Sequence, residues 1–174
     1  MRIYTMLFRL SVRGSRLGLL ALLVCCVVSA QDEVRIGELS AMDRHYMAQQ
    51  RTMLDDLAAA ELGRKFSGDK AADLALLQAL LDRRIVRPDQ TRELQAMGVV
   101  MGDLLAADLG MHWVIYEDRQ GRSRALRYRE TNEYLFPITM ISRRREVGND
   151  TPVAVIYQKA YDLIAPLREP LPYR

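Results

Sequence analysis

The chain has 174 residues, 25 of them basic and 22 acidic, with a formal net charge of +3, two cysteines and two histidines. A chain of this size builds one core that buries most of its surface without covalent staples, which excludes a large multidomain machine. So few cysteines and histidines exclude a disulfide scaffold and a zinc centre of several thiolates.

Arg2, Arg9, Arg13 and Arg16 make a basic, acid-free start. The uncharged run from Leu17 to Ala30 follows and ends in Val28-Ser29-Ala30, the pattern a signal peptidase reads. Residues 1–30 are therefore expected to be a signal peptide cut after Ala30, and the protein to be periplasmic or secreted. A retained membrane anchor is the alternative, but the run falls short of the roughly 20 residues that cross a bilayer. Lipidation at Cys25 or Cys26 is disfavoured because Val24 or Cys25, not a small residue, precedes. The absence of an adjacent arginine pair favours the general export route over the twin-arginine one. Cleavage removes both cysteines and four arginines, leaving a net charge of −1. The positive balance thus belongs to targeting and makes no case for nucleic acid. No later stretch is long and apolar enough to span a membrane.

Ser40 suits an N-cap, and Met42, Tyr46, Met47, Met53, Leu54 and Leu57 recur at helical spacing up to Gly63, a C-terminal stop. Asp69 opens a second helix, with Leu74, Leu77 and Leu81 on one stripe, ending before Pro88. Pro88-Asp89 opens a third, through Leu94, Met97, Met101, Leu104 and Leu105 to Leu109, with Gly110 as its stop. Strand chemistry then takes over. Met111–Tyr116 and Ser123–Tyr128, joined by Asp118-Arg119-Gln120-Gly121, predict a hairpin, and Leu135–Arg144 predicts a third strand that Pro137 restricts to an edge or bulge. Thr151-Pro152 sets up a last helix on Val153, Ile156, Tyr157, Ala160, Leu163 and Ile164. The reading is an α+β domain: N-terminal helices, a three-stranded antiparallel β-sheet and a C-terminal helix. Its parts are a helical region over 31–67, the α+β domain over 68–168 and an extended tail over 169–174.

The run Leu94-Gln95-Ala96-Met97-Gly98-Val99-Val100-Met101-Gly102-Asp103, followed by Leu109-Gly110-Met111-His112-Trp113-Val114, resembles the DUF3806 domain family of uncharacterised bacterial proteins. The likeness continues through Glu117-Asp118, Gly121-Arg122, Leu126-Arg127-Tyr128 and Phe136-Pro137 to Ile141-Ser142-Arg143-Arg144, covering about Leu77 to Tyr161. Because the family is one of unknown function, the resemblance implies no catalytic residue. The segment from Gln31 to about Lys65 lies outside it.

Glycine inside a helix costs about 1 kcal/mol, so Gly98 and Gly102 imply close approach of a strand or another helix. No strand precedes them and no P-loop lysine follows. Asp103 reads as a solvated or capping residue. His45 and His112 lie too far apart in sequence for an HExxH-type metal site, and no metal or cofactor is expected. Asp43-Arg44-His45 reads as surface, since neighbours one or two apart on a helix do not face each other. Glu117-Asp118 fits turn chemistry. Trp113, on the strand face opposite Tyr116, is assigned to the core.

The largest anomaly is charge. From Arg119 to Arg145 there are eight arginines against Glu130 and Glu133 alone. Arginine grips carboxylate and phosphate bidentately, so Arg122, Arg124, Arg127, Arg129, Arg143, Arg144 and Arg145 form a candidate docking surface for an acidic envelope protein or an anionic cell-wall or lipid component. Alternation points Arg122 and Arg124 away from Arg127 and Arg129. The competing readings are a solubilising edge-strand defence and a cell-envelope hydrolase drawing on Asp103, Glu117 or Glu130. The methionine-rich stripe of the first helix could also pair two copies of the chain into a homodimer.

Overall fold

The structure is a computed structural model in which residues 34–168 are described; the expected signal peptide, 1–30, and the expected tail, 169–174, lie outside the described residues. The chain opens with strand β1 (Arg35–Glu38) and helix α1 (Ala41–Leu62). The Ser40 hydroxyl accepts from the Asp43 amide at 3.1 Å while the Asp43 carboxylate accepts from the Ser40 amide at 3.1 Å, a reciprocal capping box. Gly63, at φ 63°, ends the helix in the left-handed conformation that glycine adopts without a side-chain clash. Helix α2 (Lys70–Asp82) starts on Asp69, whose carboxylate accepts from the Ala72 amide. Helix α3 (Thr91–Leu109) begins a little later than Pro88-Asp89 predicts, because Arg87–Gln90 closes into a turn first.

Strands β2 (Met111–Asp118) and β3 (Gly121–Tyr128) form the expected hairpin, closed by the Asp118 carboxylate accepting from the Gln120 amide at 2.8 Å. The third strand departs from expectation. Strand β4 spans only Tyr134–Leu135, and Ile138–Glu146 is helix α4. β4 pairs with β3 at Leu126↔Leu135 and Arg127↔Tyr134. Two residues further in that register Pro137 would face Arg124, and proline has no amide hydrogen with which to continue the ladder. The β-branched Ile138-Thr139 pair gives the segment its strand look. Helical winding instead brings Ile141 and Ser142 inward and leaves Arg143 outside. Helix α5 (Val153–Ile164) follows, and a short 3-10 turn, Ala165–Leu167, completes the described chain.

The sheet therefore has four strands, not three, in the order β1-β2-β3-β4, all antiparallel. β1, the strand the sequence reading omits, has only Ile36 as an apolar side chain between charged ends, too little for periodicity to register. α3 is the axis of the fold. It buries residues along its whole length, from Leu94 to Leu109, and packs against α1, α4, α5 and β2. The sheet face carrying Met111, Leu126, Tyr128 and Leu135 joins the same core as Leu54, Leu77, Met97 and Leu105. β1 and α1 share that sheet and core with everything from residue 68 onward. Of the methionines on α1, Met47 is buried, Met53 is half-buried against the core and Met42 is exposed. No helix among the described residues is long and apolar enough to cross a membrane.

Candidate functional site

Gly98 and Gly102 lie on the face of α3 that meets α4 and β2. A Cβ on Gly98 would stand 2.5 Å from the Ile138 carbonyl oxygen and 2.6 Å from that of Pro137. On Gly102 it would stand 2.5 Å from the Trp113 ring. The half-buried Trp113 ring lies over Gly102, and its Nε1 donates to Asp103 Oδ1 at 2.9 Å. Asp103 is neither a cap nor free in solvent. Arg51 of α1 binds it with Nε at 2.5 Å and a terminal nitrogen at 2.7 Å, so one carboxylate ties α1, α3 and β2 together. Gly110 closes α3 at φ 67° and turns the chain into β2.

The arginines do not form one surface. Arg122 and Arg124, two apart on β3, both turn toward the start of α1 and meet Asp43. Arg122 donates to its two carboxylate oxygens at 3.0 and 2.5 Å, and Arg124 reaches Oδ1 at 2.8 Å. The Arg124 guanidinium also lies over the Tyr46 ring, 4.3 Å from its centre. Asp43 is 2 % exposed, which corrects its reading as a surface residue. Donation from Arg122 holds its carboxyl far below the usual range, with Ser40 adding further donors, against burial, which pushes the other way. The S-x-x-D pattern at Ser40 marks Asp43 as a capping-box member. Nothing local announces its second partnership, because the arginines lie on a strand far along the chain.

Arg127 points from the other sheet face, donating to Glu130 at 2.7 Å and to the Thr131 carbonyl at 2.8 Å. Arg129 lies past the end of β3, at φ 47°, over the Tyr128 ring. The last three arginines belong to α4 rather than to a strand. Arg144 bonds back to the Met140 carbonyl, and Arg145 pairs with Asp150. Arg143 is exposed and makes no ion pair among the described residues.

Three of the seven converge. Arg122, Arg124 and Arg143 line a cleft of 510 Å³ between β3 and α4, together with Tyr46, Tyr116 and Phe136. That volume falls within the range of ligand-binding clefts. The three guanidinium groups line it together with the carboxylate of Asp118, and two of them, Arg122 and Arg124, also hold the buried Asp43. Tyr116 packs edge-on against Phe136 at 5.2 Å and Tyr134 at 5.0 Å, fixing the aromatic wall. The three acids considered for hydrolysis stand apart. Asp103 is held by Arg51 and Trp113, Glu130 by Arg127, and Glu117 is exposed on β2. His45 meets Gln49 on the exposed face of α1, His112 is exposed on β2, and no cluster of three potential metal ligands occurs among the described residues.

Residues 73–157 match the family model described as domain of unknown function DUF3806. The chain carries a DUF3806 domain. Its extent is close to the Leu77–Tyr161 resemblance, and it contains α3, the hairpin, α4 and the first turn of α5. A crystal structure from Bacteroides thetaiotaomicron VPI-5482 is similar in fold, with a TM-score of 0.67 at 20 % identity. The match covers 75 % of this chain and 48 % of that one, so this chain spans about half the length of its structural neighbour. No curated protein matches the sequence. Asp43, Tyr46 and Arg51 precede the DUF3806 segment. Tyr46, which lines the cleft, and Asp43, the carboxylate that holds Arg122 and Arg124, therefore come from outside the family match.

Proposed function

We propose that this DUF3806 protein is an exported, non-enzymatic binding module whose cleft between β3 and α4 docks an acidic protein partner. One observation carries the reading: Arg143 stands exposed and unpaired beside Arg122 and Arg124, in a recess that also offers aromatic rings. Asp43 orients the two strand arginines in advance, so a ligand carboxylate meets donors already ordered, which lowers the entropic cost of binding. Arg143 supplies the remaining charge and the bidentate geometry a carboxylate prefers. A recess with walls on both sides suits a protein segment better than a flat bilayer. Export is supported by the basic start at Arg2, Arg9, Arg13 and Arg16 and the uncharged run to Ala30.

Fluorescence anisotropy with labelled poly-L-glutamate, at about 0.15 M salt where loose surface attraction is screened, tests this reading. Arg143→Glu is expected to weaken binding about tenfold without altering the fold, the size of one lost charge-assisted contact. Unchanged binding overturns the proposal, as does stronger binding to phosphatidylglycerol vesicles than to the polypeptide.

A further inference from the structure

The cleft has a backbone wall as well as a side-chain one. The Tyr128 amide donates to the Glu133 carbonyl at 3.1 Å, so the backbone groups of Tyr128 face the β4 side of β3. Alternate residues of a strand turn their N–H and C=O groups to the same side, which places those of Leu126, Arg124 and Arg122 there too. β4 satisfies β3 only as far as Leu126. Pro137 then diverts the chain into α4, so Arg122 and Arg124, paired with β2 on one side, have no strand on the β4 side. Their backbone polar groups face the cleft that Phe136, Thr139 and Arg143 close on the far side.

A bare edge of this kind is a template for an incoming strand. Its surroundings fix the chemistry of that strand. Arg143 lines the cleft opposite the edge, Arg124 and Arg122 project from one face of it, and Tyr116, with Phe136 packed on its ring, projects from the other. Resting on the acidic-partner reading above, we infer that the occupant is an extended acidic peptide segment that adds to β3 beyond Leu126, continuing the sheet where β4 stops. Its backbone bonds to Arg122 and Arg124, and its carboxylates lie against the arginines.

Strand addition has a signature that charge attraction lacks, because only every second amide of an added strand faces its neighbour. The probe is a labelled hexapeptide alternating glutamate and valine, prepared unmethylated and as two isomers N-methylated on alternate amides. Anisotropy with the purified protein is expected to show one methylated isomer binding at least tenfold more weakly and the other within about twofold of the parent. Equal loss from both isomers, or loss from neither, overturns strand addition while leaving the anion-binding cleft intact. If the unmethylated peptide does not bind and poly-L-glutamate is equally indifferent to Arg143→Glu, both readings fall.

Discussion

Arg122 clasps both carboxylate oxygens of Asp43, at 3.0 and 2.5 Å, across 79 positions of the chain. The same carboxylate caps α1 through Ser40, so the helix start and the hairpin are held by one side chain. Asp43→Ala removes the side-chain half of the capping box, the clasp and the Arg124 contact together. Breaking a fully buried pair costs about 3–5 kcal/mol, and the 45 % exposure of the Arg122 side chain reduces that to about 2–3 kcal/mol here. Urea unfolding monitored by circular dichroism checks it, with a lowered midpoint and an unchanged slope expected.

Acid should reveal the same group. Arg122 holds the Asp43 carboxyl below its ordinary value of 3.8, so between the two values the folded state binds fewer protons than the unfolded chain. Its stabilising contribution is complete above the unfolded value and drains away as pH falls through the folded one. The stability gap between the wild type and Asp43→Asn is therefore expected to be widest near neutrality and to narrow below about pH 4. A gap constant from pH 7 to pH 2 contradicts this account.

For the glycines, packing and propensity oppose each other. Alanine in mid-helix gains about 1 kcal/mol over glycine. At Gly98 the new Cβ meets backbone oxygen at 2.5 Å, and at Gly102 it meets the Trp113 ring. Overpacking of this kind costs about 1–3 kcal/mol and exceeds the gain where backbone must move. Both alanine variants should melt below the wild type, Gly98→Ala by more, because carbonyls of α4 give way less readily than a ring. Thermal unfolding of the two variants tests the order.

Trp113 is the sole tryptophan of the chain, and Asp103 is its hydrogen-bond acceptor. Asp103→Ala leaves the indole N–H and Arg51 without their shared partner. Since Asp103 is partly exposed, a loss of about 1–2 kcal/mol is expected, together with a shift in tryptophan emission. Unchanged emission would remove Asp103 from its role as the tie between α1, α3 and β2.

Export makes a chemical prediction that needs no structure. Protein recovered from the cell envelope should begin at Gln31 and contain no cysteine, which intact-mass measurement reads directly. A chain starting at Met1 in that fraction would reject cleavage after Ala30.

Local chemistry made much of this fold legible. Ser40, Gly63, Asp69 and Gly110 mark helix ends because caps and left-handed stops act over three or four residues. The hairpin was legible for the same reason, its turn lying between two β-rich runs. By contrast, Ile138–Glu146 has strand-like composition at its start and becomes a helix because Pro137 ends the ladder and Gly98 admits its backbone. β1 has too few apolar residues to announce itself and exists because β2 offers it an edge.

The sequence alone determined both ends of α1, the start of α2, the end of α3, the span of α5, the hairpin, the need for close approach at Gly98 and Gly102, and an arginine excess without a place. Tertiary structure alone decided which arginines lie together. It paired Arg122 and Arg124 with Asp43, spent Arg127, Arg144 and Arg145 on nearby partners, and set Arg143 free across a cleft from an unfinished strand. The physical reason is range: caps and turns are satisfied within a few residues, whereas a buried charge takes whichever partner the fold brings to it.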